Sequence, residues 1–277
     1  MNWKIVSDSS SNVMEAEDIA YCTVPLKIIT EQKEYVDNTA LNVREMVEYL
    51  QQYKGKSGSS CPNAQEWMDA FDCAEAVIGL TISGNLSGSY AAACQAREDY
   101  VKEHPDAKVF ILDTLSTGPE MQLIIEKLKE LIKSGLSFEK VRDQIKEYCK
   151  HTHLLFALQS LRNLANNGRV KPAVAAISGA LGIRLIGKAS DQGTLQPLHK
   201  CRGEASTLRT IIKQMIEDGW KGGKVRIAHC FNQSAASLLA EMMRKEHKSC
   251  QIEIIPCAAL CSFYAEKGGL LVGFESL

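Results

Sequence analysis

The sequence predicts an α/β fold with two α/β domains. Short apolar runs alternate with helical patterns along the 277 residues, which is typical of strand–helix units and a mainly parallel sheet. Apolar residues make up 45% of the chain and charged residues 23%, as in ordinary globular proteins. A chain of this length is expected to form about two domains. We predict an N-terminal domain with a mainly parallel sheet flanked by helices, and a C-terminal domain with a mixed sheet and helices.

The distribution of charge suggests where the two domains divide. Residues 1–149 carry 15 basic and 24 acidic side chains, whereas residues 150–277 carry 17 basic and 9 acidic ones. The pattern of strands and helices also restarts there, so we predict domains over 1–150 and 151–277. An acidic domain that faces a basic one would explain this split, and so would chance. The net charge of −1 argues against a nucleic-acid-binding protein.

The first half is predicted to begin with a strand and to alternate thereafter. Asn42 caps a helix, and Asn63 opens another in a capping box with Glu66. The remaining predicted elements are strands at 4–7, 24–29, 34–36, 76–82 and 109–112, a loop at 54–60, and helices at 89–103, 118–134 and 137–149.

The second half is predicted to continue the alternation. A short helix ends at the turn Asn166-Asn167-Gly168, and Asp191-Gln192-Gly193 forms the turn of a hairpin. The other predicted elements are strands at 154–158, 185–187, 194–198, 224–230 and 251–255, an apolar segment rich in small residues at 173–181, and helices at 204–218 and 233–246.

A polar loop between a strand and a helix is the first candidate binding site. The loop Ser83–Gly88 aims backbone N–H groups beyond the carboxyl edge of the predicted sheet. Ser87 stands at the predicted start of the helix, where an anion is stabilised by free amides and the helix dipole. The alternative is a plain capping serine. The spacing around Ser87 does not match the G-x-S-x-G nucleophile motif.

Two further stretches could contribute to the same site. The stretch 57–63 offers several hydroxyls ahead of a helix, and it could instead be a flexible linker. Arg169 and Arg202 lie in the basic half, beside Gly168 and Gly203. A guanidinium suits carboxylate or phosphate because its planar fork donates two hydrogen bonds at once. Both arginines could equally be solvated or paired with nearby acids.

Other functional classes find little support in the sequence. Asp8 and Asp113 follow strands, where we expect them to accept backbone N–H bonds rather than to act in catalysis. The ten cysteines include no C-x-x-C pair, which indicates reduced thiols in a cytoplasmic protein and no metal site. No apolar run is long enough to span a membrane, and the N-terminus does not read as a signal peptide. No phosphate-binding loop of the type G-x-x-x-x-G-K-[ST] is present.

Six short motifs follow one another along nearly the whole chain. They lie at 6–12 (D-S-[ST]), 59–63 (T-S-x-P-S, with Ser59 for the first Thr), 83–90 (S-S-x-L-S-G-T-[YF]), 113–114 (D-[ST]), 161–170 (L-x-x-L-x-x-x-G-R-[IV]) and 200–203 (K-x-R-G). This ordered set is specific, and it resembles the motifs of the DegV family of bacterial fatty-acid-binding proteins.

The resemblance implies a long-chain fatty acid buried between two α/β domains. It implies that the hydroxyls of Ser59 and Ser87 and the amide of Gly88 hold the carboxylate, and that Arg202 is the arginine of the K-x-R-G motif. The implied role is the acyl-carrying subunit of a fatty-acid kinase, without catalysis of its own. Such a subunit presents the carboxylate to a separate ATP-binding subunit, which makes acyl phosphate. No ligand other than the lipid and no cofactor is implied.

One stretch departs from the family pattern. The C-terminal H-x-G-P-G of the family is absent, and Cys261–Gly269 stands in its place. Tyr264 falls about where the histidine would be, so Tyr264 joins the predicted ligand site. The departure bears more on phosphoryl transfer than on lipid binding.

Two other functions remain open from the sequence. Ser87 could be the nucleophile of a hydrolase or acyltransferase, which would need a base such as His229 or His153 within hydrogen-bond reach. Arg169 and Arg202 could instead serve a sensor of small anions or sugar phosphates.

Overall fold

The chain alternates strands and helices throughout residues 2–178 and 182–276, which are the residues that this computed structural model describes. The strands are β1 Trp3–Asp8, β2 Ala20–Val24, β3 Lys27–Thr30, β4 Glu34–Val36, β5 Ser57–Ser60, β6 Ala76–Thr81, β7 Lys108–Asp113, β8 Thr152–Leu158, β9 Ile183–Ala189, β10 Leu195–Arg202, β11 Lys224–His229, β12 Gln251–Pro256 and β13 Leu270–Glu275. The helices are α1 Val43–Gln52, α2 Ala64–Phe71, α3 Ser89–Glu103, α4 Pro119–Lys133, α5 Phe138–Tyr148, α6 Arg162–Asn166, α7 Pro172–Ser178, α8 Glu204–Glu217, α9 Gln233–Glu246 and α10 Ala259–Ala265.

Local capping signals in the sequence set several helix starts. The Asn42 side chain accepts from the backbone N–H of Glu45 at the start of α1. Asn63 and Glu66 form the predicted capping box at the start of α2. Each cap satisfies backbone N–H groups that have no partner inside the helix.

The predicted fold class is confirmed, and the strands form three sheets. The N-terminal part contains a parallel sheet in the order β2-β1-β6-β7. The C-terminal part contains a mixed sheet in the order β10-β9-β8-β13-β11-β12. A small antiparallel sheet, β4-β3-β5, comes from residues between β2 and α2.

Helix α4 is packed between the two large sheets. On one side, Met121, Ile124 and Leu128 lie in a core with the parallel sheet and α5. On the other side, α4 contacts β13, β11 and β8 of the mixed sheet. Helices α2 and α3 cover the other face of the parallel sheet, and α8 and α9 cover the other face of the mixed sheet. The order of layers is therefore helices, parallel sheet, helices, mixed sheet, helices.

A glycine permits the close approach of α4 to β13. A Cβ on Gly273 would lie 2.5 Å from the backbone nitrogen of Glu120 and 2.5 Å from the carbonyl carbon of Pro119. Both contacts are to backbone atoms, so the helix itself would have to move. The missing side chain at Gly273 thus helps to set the separation of α4 from the mixed sheet.

The acidic and basic parts of the chain meet along α4. Glu126 of α4 binds Arg226 of β11 through two hydrogen bonds, of 2.7 and 2.6 Å. Further along the helix, Glu130 accepts from Lys224 at 2.7 Å. The Arg226 pair is bidentate and mostly buried, with 10% and 26% of the two side chains exposed. Acidic residues of the first part and basic residues of the second part therefore form ion pairs that hold the two parts together.

Two local predictions are wrong. The strand predicted at 24–29 is two strands in different sheets, because Pro25 has no N–H and the N–H of Leu26 donates to Ser9 Oγ at 3.0 Å. The loop predicted at 54–60 contains β5, which forms by pairing with β3 although its sequence, Ser-Gly-Ser-Ser, has no apolar alternation. The end of the predicted segment 173–181, residues 179–181, lies outside the described residues.

The predicted domain boundary near residue 150 stays a prediction. The mixed sheet begins at Thr152, in agreement with that boundary. However, Ile28, Met46 and Leu50 from the first half share a core with Phe156 of the second half. Among the described residues, no helix is long and apolar enough to cross a membrane.

We predict that Gly273→Ala destabilises the fold by about 1–3 kcal/mol, the usual cost of overpacking. The new methyl group would push on the backbone of α4 and not on a flexible side chain. Urea unfolding of the variant measures the change, and an unchanged midpoint would contradict the proposed contact.

We also predict a pH dependence of stability that depends on Glu120. Burial raises the pKa of this carboxyl from 4.5 to about 7, although it accepts from Ser116 Oγ at 2.5 Å and Thr152 Oγ1 at 2.8 Å. Because the folded state holds its proton more tightly than the unfolded state, the free energy of unfolding falls as pH rises from 4.5 to about 7.

Glu120→Gln keeps the shape of the side chain and removes the charge. The original protein loses stability as pH rises from 4.5 to about 7, and the variant lacks this loss. The difference between their free energies of unfolding should therefore grow across this range and stay constant above it. Denaturant titrations at a series of pH values measure this difference, and parallel pH curves would contradict the assignment.

Candidate ligand-binding site

An apolar slot lies between the carboxyl edge of the parallel sheet and one face of the mixed sheet. It contains about 680 Å³ of atom-free space, part of it open to solvent. Most of its lining side chains are leucine, isoleucine or phenylalanine. The polar residues of the lining are Ser59, Ser87, Thr117, Arg169 and Tyr264.

The alternation of side chains along β8 provides one wall of the slot. Leu154, Phe156 and Leu158 point to the slot, whereas Leu155 and Ala157 lie in the core beneath α8 and α9. This is the two-residue period of a strand that is buried on both faces. The carbon-rich wall suits a long apolar ligand, because each methylene that leaves water contributes about 0.8 kcal/mol.

The order of the parallel sheet places the loop after β6 at the slot. The chain moves from β1 to β2 on one side and from β6 to β7 on the other, so the order changes direction between β1 and β6. In open α/β sheets, ligands bind outside the carboxyl ends of the strands at such a point. The loop after β6 carries Ile82, Leu86 and Ser87, which all line the slot.

Ser87 has a hydroxyl hydrogen to offer to a ligand. Its Oγ accepts from the backbone N–H of Ser89 at 3.3 Å, so the oxygen is used as an acceptor and the hydrogen is directed elsewhere. Ser87 is partly buried and precedes Gly88, the residue at the start of α3. A negatively charged group at this position is stabilised by the helix terminus as well as by the hydroxyl.

Ser59 and Tyr264 meet in the slot although 205 residues separate them. Their hydroxyl oxygens lie 2.7 Å apart. Ser59 is on β5, opposite Ile28 of β3, and Tyr264 is on α10. One hydroxyl must donate to the other, so the pair has one hydroxyl hydrogen left for a ligand.

Arg169 provides a positive charge at the same end of the slot. Gly168, with φ of 74°, ends the turn after α6 and directs the chain so that Arg169 faces the slot. The guanidinium donates to the carbonyls of Leu86 at 3.1 Å and Asn167 at 2.5 Å, and its Cζ lies 5.8 Å from the centre of the Tyr264 ring. Its Nη2 has no hydrogen-bond partner among the described residues.

The structure does not bring Arg202 to this slot. Arg202 is exposed at the end of β10, whereas Leu195 at the other end of that strand lines the slot. Arg202 is not among the residues that line the slot, and the arginine in the lining is Arg169. Gly88 is exposed beside the site, where a Cβ would lie 3.2 Å from Cys61 Sγ.

Two aspartates hold the loops of the site, as the sequence predicts. Asp8 accepts from the backbone N–H of Ile82 at 2.9 Å, from Ser89 Oγ at 2.7 Å and from Ser10 Oγ. Asp113 accepts from the backbone N–H of Gly84 at 3.1 Å. Burial raises the pKa of Asp8 to about 6, in spite of these hydrogen bonds. Their role is structural, because neither lines the slot.

Neither of the two histidines considered as a general base for Ser87 lies at the slot. His229 bonds to Gln233 at 2.7 Å and to the N–H of Asn232, and His153 bonds to Ser276 at 2.8 Å. Neither histidine lines the slot. Among residues 2–178 and 182–276, no three His, Cys, Asp or Glu side chains are grouped so that they could hold a metal ion.

Of the residues predicted from the sequence, Ser59, Ser87 and Tyr264 line the slot, and so does Arg169, which the sequence offered only as an alternative anion-binding residue. Thr117 also lines the slot and was not predicted. The signal for Arg169 was present, because the turn at Gly168 and the motif around it are both visible in the sequence. Thr117 has no comparable signal. It reaches the slot because the loop after β7 bends back, where Thr117 Oγ1 donates to the carbonyl of Ser10 at 3.2 Å.

Comparison with known proteins finds relatives that match over the whole chain. A DegV domain-containing protein of Streptococcus gordonii is 39% identical over 279 residues, which cover 99% of each chain. A DegV family protein from Eubacterium eligens, solved loaded with heptadecanoic acid, is 37% identical, with a TM-score of 0.97 over 99% of this chain and 100% of that one. The Streptococcus pneumoniae Fatty Acid Kinase (Fak) B3 protein, solved loaded with linoleic acid, is also 37% identical, with a TM-score of 0.98 over 100% of both chains.

The family model described as "Uncharacterised protein, DegV family" matches residues 2–276. Together with relatives that share more than a third of their residues over nearly the full length, this match assigns the chain: it belongs to the DegV family.

Proposed function

We propose that this protein binds a long-chain fatty acid in the slot, with the carboxylate at Ser59, Ser87, Arg169 and Tyr264. The observation that carries the proposal is the uneven lining of the slot: Ser59, Ser87, Arg169 and Tyr264 are grouped by their contacts, whereas most of the other lining side chains are apolar. The related proteins from Eubacterium eligens and Streptococcus pneumoniae, with fatty acids bound, support it.

The head group is matched by its surroundings in charge and in hydrogen bonds. The carboxylate of a fatty acid accepts several hydrogen bonds, and Ser87, the Ser59–Tyr264 pair and Nη2 of Arg169 each have a hydrogen to donate. Hydrogen bonds to a charged group are each worth about 1.5–3 kcal/mol. The buried tail then supplies most of the affinity, and the polar end fixes its direction.

We further propose that the protein presents this carboxylate to the ATP-binding subunit of a fatty-acid kinase in the cytoplasm. In that reaction a carboxylate oxygen attacks the γ-phosphorus of ATP, ADP leaves, and an acyl phosphate forms. The partly exposed Ser87 and Arg169 leave the head group within reach of a partner. The likeness to the Streptococcus pneumoniae Fatty Acid Kinase (Fak) B3 protein supports this role.

We predict that fatty acid is released when the purified protein is denatured and extracted. Mass spectrometry of the extract should show long-chain fatty acid at a ratio approaching one per chain. A protein that emerges empty, and that also binds no added oleate in calorimetry, would overturn the proposed ligand.

We predict that Ser87→Ala and Arg169→Met each weaken fatty-acid binding by about tenfold or more, because each removes a donor to a charged carboxylate. Arg202→Met removes the same charge from an exposed residue outside the lining of the slot and should leave the affinity unchanged. Calorimetric titration of the delipidated proteins with oleate compares the three. A larger loss in Arg202→Met than in Arg169→Met would reverse the assignment of the arginine.

The kinase role predicts ADP formation that needs three components together: this protein loaded with oleate, ATP, and the ATP-binding subunit of a streptococcal fatty-acid kinase. The Fak B3 protein serves as the positive control. If Fak B3 supports ADP formation and this protein does not, the proposed presentation is wrong while the lipid-binding proposal stands.

A further inference from the structure

Helix α10 carries Tyr264 but cannot cap its own N-terminus. Ala258 occupies the capping position with extended backbone angles, φ of −69° and ψ of −178°, and has no side-chain oxygen. The first backbone N–H groups of a helix have no partner within the helix and need one from elsewhere. The residues that supply this partner therefore control where α10 begins.

Asp37 supplies the missing cap from a distant part of the chain. Its Oδ1 accepts from the N–H of Ala259 at 2.8 Å, and its Oδ2 accepts from the N–H of Leu260 at 3.0 Å. The residue is 1% exposed, so no water competes for these bonds. A carboxylate at this end also interacts favourably with the helix dipole. Asn12 assists by accepting from the N–H of Ala258 and donating to the carbonyl of Pro256 at 2.8 Å.

Asp37 and Ser59 belong to the same small sheet. Asp37 follows β4, and its N–H donates to the carbonyl of Leu26, just before β3. Ser59 lies on β5, which pairs with the other edge of β3. This sheet therefore holds α10 at two points, at its first turn through Asp37 and near its last residue through the hydrogen bond between Ser59 and Tyr264.

Because α10 is short, the cap by Asp37 at its start also determines the position of Tyr264 near its end. Tyr264 is five residues beyond Ala259, about 7.5 Å along the axis. A hydrogen bond of 2.7 Å between Ser59 and Tyr264 tolerates little movement of the helix before it is lost. Leu260 and Cys261 of the same helix also line the slot, so a shift of α10 would change the wall as well as the head-group end.

We infer that Asp37 is a positioning residue for the fatty-acid head group: by capping α10 from the small sheet, it places the Tyr264 hydroxyl against Ser59. This inference rests on the proposed function of the slot. It gives a role to the fully buried carboxylate of Asp37, which accepts hydrogen bonds from two backbone N–H groups of a seven-residue helix.

A double-mutant cycle between Asp37 and Tyr264 tests the inference. Asp37→Asn keeps one acceptor and turns the other into a donor that faces an N–H, so the cap is broken with little change in shape. We expect about a fivefold loss of oleate affinity, as for a lost N-cap of about 1 kcal/mol. Tyr264→Phe should cost a similar factor. In the double variant the combined loss should be clearly smaller than the product of the two single losses, because Asp37 acts in large part through Tyr264.

A second variant separates positioning from general destabilisation. Ala258→Ser adds a capping hydroxyl within α10, at a residue whose backbone is already extended. In the Asp37→Asn background it should restore most of the oleate affinity, provided that Tyr264 is present. Glu275→Gln is the matched control, because Glu275 is also a buried carboxylate on a backbone N–H, that of Lys224 at 2.9 Å, and does not line the slot. It should lower thermal stability without changing oleate affinity.

The outcomes distinguish the inference from the proposed function. If the unmodified protein binds no oleate, the proposed function fails. If it binds, and the losses from Asp37→Asn and Tyr264→Phe multiply independently, the inference is overturned. Should Asp37→Asn not fold, the test passes to the folded Asp37→Asn/Ala258→Ser variant, in which wild-type affinity supports the inference and a loss that persists contradicts it.

Discussion

The position of α4 between the two large sheets is the constraint on which the slot depends. The helix packs with Ile124 and Leu128 on the parallel sheet and approaches the mixed sheet so closely at Gly273 that no Cβ fits. The ion pairs of Glu126 with Arg226 and of Glu130 with Lys224 also hold α4 close to the mixed sheet. The slot forms beside the start of α4, where the carboxyl edge of one sheet meets the face of the other. Its width thus follows from contacts that a ligand never touches.

Buried carboxylates bonded to backbone amides hold the polar end of the slot. Asp8 fixes the loop after β6 and the start of α3, and Asp37 fixes the start of α10. Among the described residues, neither carboxylate forms an ion pair within 4.0 Å. Burial therefore raises the pKa of both carboxyl groups. The cation at the site, Arg169, is held by two carbonyls instead. In the part of the chain that the structure describes, no carboxylate neutralises its charge, as the proposed binding of a fatty-acid head group requires.

The sequence predicted the features that depend on residues close together in the chain. The caps at Asn42 and Asn63 and the role of Asp113 each depend on a few neighbouring residues or on one adjacent strand. Strand β5 was missed because Ser57–Ser60 is extended only through its pairing with β3. No strand was predicted for β13, which inserts between β8 and β11 by long-range pairing. Both Arg169 and Arg202 stand beside a glycine in the sequence, and only the folded chain shows that Arg169 lines the slot and Arg202 does not.

A crystal structure of the protein grown with oleate will show whether the polar end of the slot receives a fatty-acid carboxylate. We expect density for the acyl chain along Phe156 and Leu271, with carboxylate oxygens about 3 Å from Ser87 Oγ and Arg169 Nη2. Density for a lipid with its carboxylate at the other end of the slot, or bound outside it, would show that these residues do not hold the head group.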